Sequence, residues 1–316
     1  MNIKSFISLV EIRTKVSSMI PLLLGTFYTL NRFGQLKVLN LLLFFISVIL
    51  IDMTTTATNH YYDYKKAKHE QGYNYNVHNP INNYSLKTTT VITTIFTMLL
   101  LAIISGLILF LRTDLIVLFV GIISFIVGIT YSFGPIPISR TPFGELLSSF
   151  FMGFVVFFLA VHIHLDMNSK IINILIENYR IFLEIDILKL IIIFLVSLPV
   201  VLSVANIMLA NNISDIDDDI KNERYTLPIY IGKEKSLILF KSLYILSYIN
   251  ILFLIFLKII PVISLLVFFT ILPVYNNTKL FLRKQSKKST FKTSIKNFLW
   301  INITYLLSFI LYYIFS

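Results

Sequence analysis

Long unbroken runs of apolar residues, separated by short polar stretches, recur from one end of the chain to the other. They fall near 18–32, 38–60, 88–111, 114–132, 143–164, 187–211, 235–257, 259–275 and 295–314. Most approach the ~20 residues that a helix needs to cross about 30 Å of hydrocarbon. The runs are continuous rather than alternating and much longer than a barrel strand, so the pattern predicts helices, which satisfy their own backbone groups in lipid. An all-α polytopic membrane protein with about nine transmembrane helices is expected. The first run is short, and only Lys258 separates the seventh from the eighth. With no internal repeat and no Gly/Ser-rich or Pro-rich linker, residues 1–316 read as one membrane-embedded domain.

Composition turns this pattern into a class. An apolar content of 56% and a mean hydropathy of +0.81 exceed what a water-soluble chain of 316 residues could hide. If the N-terminus is cytoplasmic, 19 of the 27 Lys and Arg residues fall in cytoplasmic segments. That bias predicts a multi-pass protein of the cell membrane with its C-terminus outside. Basic loops facing an anionic leaflet also account for the net charge of +11, so no nucleic-acid partner is called for. Absence of cysteine excludes disulfides and thiolate metal sites. The first apolar run follows a charged segment and lacks a small-residue cleavage site, so it is expected to stay in the mature protein.

Two polar loops, both on the predicted cytoplasmic side, stand out. The first in importance is NNISDIDDDIKNERYTL, residues 211–227. Carboxylates beside a bilayer are costly unless a polar cavity and a counter-charge repay the desolvation. Asp215 and Asp219 are four apart, and a helix continuing from the sixth run puts them on one face, with Asn211 extending that face and Asp217 and Asp218 pointing elsewhere. Aspartates without His or Cys suit Mg²⁺, which keeps waters and substrate phosphates as further ligands. Arg224 offers a forked cation for phosphate oxygens. The plain alternative is a solvated acidic loop that caps the next helix. The second loop, TNHYYDYKKAKHE at 58–70, again sets Asn59 and Asp63 four apart, followed by Lys65, Lys66 and Lys68. Two acid-bearing helix ends could enclose one diphosphate, although a single Asp among lysines and tyrosines is equally an ordinary membrane-surface loop.

These residues resemble the motifs of the UbiA superfamily of intramembrane prenyltransferases, and most closely its 1,4-dihydroxy-2-naphthoate branch of menaquinone synthesis. NNISDIDDDIKNERYTLPIYIG is similar to the branch's NNxRDxxxDxxxGxxTLxxxxG, with Asn211, Asn212, Asp215, Asp219, Thr226, Leu227 and Gly232 in place. NHYYDYKK at 59–66 resembles the first motif, NDxxDYxxG. YSFGPIPISRTPFGEL at 131–146 resembles YTxGPxPLxYxGxGE through Tyr131, Gly134, Pro135, Pro137, Gly144 and Glu145. EIRTKVSSMIPLLLGT at 11–26 resembles the opening RPKTLxxxxxPVLLGT through Arg13, Lys15, Pro21 and Gly25. The chain departs from these motifs at His60, at His69 with Glu70 beside it, at Ile136, at Ser214 and at Glu223.

The resemblance implies a UbiA-like bundle that transfers a polyprenyl chain from its diphosphate to an aromatic acceptor, 1,4-dihydroxy-2-naphthoate above all. Asp63, Asp215, Asp219 and Glu70 would be the metal ligands, and Mg²⁺ the cofactor. Asn59, Asn211, Lys15, Lys65, Arg140 and Arg224 would contact the diphosphate, and Tyr131 would shield an allylic cation through its ring quadrupole. The branch also loses the naphthoate carboxylate as the prenyl group arrives. The histidines His60, His69 and His78 stand as bases or as members of a wet loop, and Asp52 as a cavity residue or a hydrogen-bonded interhelical one. Other acceptors of the superfamily (4-hydroxybenzoate, haem, glycerol phosphate) and a degenerate lipid-binding or transport protein remain alternatives. Transport would need polar access from both faces, and helices three, seven and nine are expected to offer no matching polar chain.

Overall fold

The computed structural model describes residues 1–67, 79–132, 137–177 and 180–316. The chain divides into two compact units, Met1–Met19 with Val38–Gly121, and Ile20–Lys37 with Ile122–Ser316.

The first unit is built on helix α1 (Ile3–Val10), the start of α2 (Val16–Phe33), α3 (Val38–Ala67), α4 (Thr88–Arg112) and the first residues of α5 (Leu115–Ser132). Asn2 caps α1, taking the Ser5 N–H on its side chain while the Ser5 hydroxyl reaches back to it. α3 and α4 pack side by side, joined by Ser47 donating to the Ala102 carbonyl at 3.2 Å and by Arg112 donating to Asn40 at 3.1 Å. Leu9, Val10, Met53, Ala57, Ile81 and Val91 form a buried cluster that seats α1 against α3. The outer flank of α4 shows Leu100, Ile103, Leu107 and Leu111 exposed, the flank a lipid phase would solvate.

The second unit holds the rest of α2 and α5, then α6 (Gly144–His162), strands β1 (Ile172–Glu177) and β2 (Arg180–Ile185), α7 (Ile187–Ser214), α8 (Ile216–Lys221), α9 (Leu227–Ile231), α10 (Lys233–Phe256), α11 (Val262–Arg283) and α12 (Lys292–Phe315). α7 packs along α10, α12 and α6, which makes it the central rod of this unit. Hydrophobic burial drives little helix association in lipid, so close backbone approach and shape carry it instead. At Gly25 of α2 a methyl group would stand 2.7 Å from the Phe157 carbonyl oxygen and 2.8 Å from Ala160 Cβ, so only glycine lets α2 and α6 meet. Aromatic rings fill the interior, with Phe240 against Phe281 at 4.7 Å and Tyr305 against Phe309 at 5.2 Å between centroids.

Each of the nine apolar runs lies on one of these helices. Among the described residues, seven helices (α3, α4, α6, α7, α10, α11 and α12) are long and apolar enough to cross a membrane, while Leu115–Tyr131 is shorter. The protein is a multi-pass membrane protein. The count of nine is therefore approximate, because α2 and α5 are 18-residue helices and α2 contains Pro21.

Two features add to the expected picture. β1 and β2 form an antiparallel hairpin, with Glu177 opposite Arg180 and Ile172 opposite Ile185, in the stretch between the fifth and sixth apolar runs. Helices seven and nine are also not free of polar groups: Ser247 and Asn250 of α10 and Asn297, Asn302 and Ser308 of α12 are buried. That corrects the expectation of no polar chain there. Two of them bond to neighbouring α11, Ser308 to Ser264 at 3.0 Å and Asn297 to Asn277 and Thr278 at 2.9 and 3.3 Å.

Candidate active site

The acidic knot sits where α7 ends. Ser214 turns its hydroxyl back onto the Ala210 carbonyl at 2.8 Å, and Asp215 leaves the helical path at φ −109°, ψ 6°. The expected continuous helix is thus broken at Asp215. The short helix α8 restarts at once, and the Asp219 N–H donates to the Asp215 carbonyl at 2.7 Å. The four-residue spacing survives the break, so both carboxylates are buried while Asp217 and Asp218 face outward.

Each buried carboxylate has a basic partner. Lys287, from the loop between α11 and α12, bonds Asp215 Oδ2. Arg224 Nη1 lies 3.4 Å from Asp219 Oδ1, and the Thr226 hydroxyl donates to Asp219 Oδ2 at 3.4 Å. Burial pushes the Asp219 carboxyl above the usual aspartate range, with Asp215 adding to the rise and Arg224, Thr226 and Lys287 opposing it. The site therefore resists negative charge unless positive charge is supplied.

The turn that delivers Arg224 is tight. Asn222 and Arg224 both donate their N–H to the Asp219 carbonyl, at 3.1 and 2.9 Å, and Glu223 is held at φ +54°. That left-handed position is where the resembling motif has glycine, and a residue with a Cβ is strained there. Gly232 at φ +83° is a matching glycine that its backbone requires. Arg224 Nη2 reaches the Ser139 carbonyl at 3.4 Å, and the Tyr225 N–H donates to the Arg140 carbonyl at 3.0 Å. The segment 137–140 is thereby tied to the acidic turn. Arg140 is half-buried and its side chain pairs with no described carboxylate. Tyr131 stands near Glu145, Ser148 and Arg224. Glu145 is buried and accepts from Asn212 Nδ2 at 2.7 Å, which gives the second motif asparagine a structural task.

In the first unit, Asn59, Asp63 and Lys65 are exposed along the last turns of α3, which runs past the apolar stretch to Ala67. His60 Nε2 lies 3.2 Å from Glu11 Oε1, and that contact, with Lys15 behind it, holds the Glu11 carboxyl below its usual range. Lys15 is buried and already committed, bonding Asp52 Oδ1 at 2.6 Å and Thr56 at 2.6 Å while Ser18 donates to Asp52 Oδ2. Asp52 is therefore the hydrogen-bonded interhelical residue of its two readings. Glu70, His69 and His78 lie outside the described residues, as do Phe133, Gly134, Pro135 and Ile136.

The structure thus brings Asn211, Asp215, Asp219, Arg224, Arg140 and Tyr131 into one region of the second unit, and Asn59, Asp63 and Lys65 onto one helix end of the first. Lys287 was missed in the sequence, where it is one of seven basic residues in a loop explained by charge bias. Among the described residues no three His, Asp or Glu side chains gather as a ready-made metal cage. Two hard carboxylates, each drawing a cationic side chain, fit an ion such as Mg²⁺ that takes its remaining ligands from water and phosphate.

Comparison with known proteins bears on what this region does. The model of the UbiA prenyltransferase family matches residues 18–303. A 1,4-dihydroxy-2-naphthoate octaprenyltransferase of Bacillus subtilis (strain 168) is 27% identical over 237 residues, which cover 75% of this chain and 68% of that protein. The apo structure of a UbiA homologue from Aeropyrum pernix K1 has a TM-score of 0.69 at 13% identity, over 93% of this chain and 98% of that one. A structure of digeranylgeranylglyceryl phosphate synthase has a TM-score of 0.61 at 18% identity, over 99% of each chain. At such identities the two structures speak for the fold alone.

Proposed function

The chain belongs to the UbiA prenyltransferase family, and from that premise we propose that it transfers a polyprenyl chain from polyprenyl diphosphate to 1,4-dihydroxy-2-naphthoate, in menaquinone biosynthesis. The reading is carried by one observation, the buried Asp215/Asp219 pair whose carboxylates are each met by a basic side chain. The naphthoate acceptor draws its support from the 27% identical octaprenyltransferase and from the second motif. Residues 1–316 then act as one membrane-embedded domain, with the N-terminus and the acidic loops cytoplasmic and the C-terminus outside.

Asp215 and Asp219 would hold Mg²⁺, with Asn211 beside them, and Asp63, Asn59 and Glu70 are proposed to serve the same diphosphate. When bound, the ion screens the charge that the diphosphate gathers as its C1–O bond breaks. The protein's own side chains do the rest. Arg224, anchored on Asp219 and Ser139, presents its fork to phosphate oxygens. Arg140 and Lys65 add cationic contacts. Lys287 is released from Asp215 when a ligand brings positive charge of its own. Lys15 orders the Asp52–Thr56 face of α3 and so positions Asn59 and Asp63 one to two turns further on. Tyr131 turns its ring on the allylic cation and keeps water from it.

The test is an assay of purified protein with polyprenyl diphosphate and dihydroxynaphthoate. Activity should be lost on chelation and in Asp215→Ala and Asp219→Ala. Activity indifferent to all three removes the site, and a preference for 4-hydroxybenzoate or a glycerol phosphate moves the acceptor within the family.

A further inference from the structure

α10 and α11 leave between them an apolar groove of about 450 Å³ on the flank of the second unit. Its floor is buried Val274, and its rims run through Tyr248 to Leu252 and Phe268 at one end. The other end is lined by two exposed lysines, Lys241 and Lys279, one from each helix. Neither has a carboxylate partner among the described residues. Lys241 is eight residues inside α10, where a charge facing hydrocarbon is costly unless an anion meets it.

From this arrangement we propose that the groove is a binding site for one anionic diacyl phospholipid, its phosphate on Lys241 and Lys279 and an acyl chain laid along the helices toward Leu252 and Phe268. Two features of the groove argue for that occupant. The first is length: from Lys241 to Leu252 the helix rises roughly 16 Å, close to the ~15 Å of one leaflet's hydrocarbon. The second is the one-ended charge, because a neutral prenyl chain or an apolar protein surface gives the two lysines no counter-ion. The lysine end also shares a membrane face with the acidic knot, since Lys287, four residues beyond the end of α11, bonds Asp215. The site is independent of the prenyl-transfer reading and uses none of its residues.

The test is native mass spectrometry of the full chain, delipidated in detergent and offered phosphatidylglycerol or phosphatidylcholine of the same chain length. Each lysine beside an anionic headgroup is worth roughly fivefold in affinity, so the pair predicts a preference on the order of 20-fold for phosphatidylglycerol. Lys241→Gln/Lys279→Gln should reduce the preference to within about twofold, and Leu252→Trp, which fills the apolar end, should weaken retention of both lipids. Lys258→Gln, at the far end of the same helical hairpin, should leave the preference intact. Equal binding of the two lipids by the unaltered protein overturns the proposal. So does an equal loss in Lys258→Gln, or a mass spectrum in which a second copy of the chain, and no lipid, occupies the α10–α11 face.

Discussion

Replacing Asp219 by Asn should separate function from folding. The substitution keeps the shape of the side chain and a hydrogen-bond acceptor for Thr226, and removes one negative charge from a buried position. Two electrostatic terms then change in opposite directions. The attraction of Arg224 at 3.4 Å is lost, on the order of 5 kcal/mol gross at an effective dielectric of 20. The cost of burying a carboxylate, several kcal/mol for an ion taken out of water, is lost with it. Because burial outweighs the cationic partners and raises the Asp219 carboxyl, removing the charge should leave stability unchanged or slightly higher, by no more than about 1 kcal/mol. For a chain of this size that is a shift of about 3 °C or less in Tm. Catalysis is not protected by such cancellation. A charge that stabilises the departing diphosphate through a bound ion is worth roughly 10²–10³ in kcat. Thermal melts in detergent and steady-state assays on one preparation read both quantities. An Asp219→Asn protein within threefold of full activity, or one whose Tm falls by more than about 10 °C, refutes the reasoning.

Four other outcomes follow from the same geometry. Lys287→Gln frees Asp215 from a half-exposed lysine, so the Mg²⁺ concentration for half-maximal rate should fall about two- to fivefold, in line with ~1 kcal/mol or less for such a pair; an unchanged or raised requirement contradicts the pairing. Glu223→Gly relieves a left-handed backbone at φ +54° and should stabilise the protein by about 0.5–1 kcal/mol, read by thermal melts with activity unchanged. Gly25→Ala forces a methyl into the Phe157 backbone and should destabilise by ~1–3 kcal/mol, with loss of folded yield in detergent. For pH, the ionised Asp219 is the form that accepts a cation, and its raised folded value means this form is lost as pH falls, beginning above the ordinary aspartate range. At subsaturating Mg²⁺ the rate should fall on acidification from that point, and saturating Mg²⁺ should move the fall to lower pH; a fall insensitive to Mg²⁺ assigns the titration elsewhere.

Much of the fold is legible in the hydropathy pattern because lipid imposes one long-range rule on every span. Edges are less so. α3 runs on to Ala67 and α11 to Arg283, well past the apolar runs ending at 60 and 275, since a helix continues wherever its backbone bonds are met and hydropathy does not report that. The β1–β2 hairpin had a local signal, two six-residue strands rich in isoleucine joined by two residues, which a search for membrane spans overlooks. In the site, the Asp215/Asp219 spacing carried the face assignment even though the helix breaks between them, because the Asp219 N–H to Asp215 carbonyl bond restores the register. Lys287 could not be found this way: it is 72 residues from Asp215 and only tertiary packing singles it out from its basic loop. Lys15 matches a family motif, yet its ammonium is spent on Asp52, a contact no spacing rule foretells.

On this reading the Asp215/Asp219 carboxylates together hold one metal-bound diphosphate. Electron paramagnetic resonance of Mn²⁺, with a non-ionising polyprenyl thiodiphosphate as probe, tests it most directly. Tight Mn²⁺ binding should require the diphosphate and vanish in Asp215→Ala/Asp219→Ala. Asp215→Ala alone should weaken it at least tenfold, and adding Asp219→Ala should cost far less than the sum of the two single changes, as expected for groups acting as a unit. Binding that survives loss of both Asp215 and Asp219, or losses from the two single changes that simply add, would contradict the account.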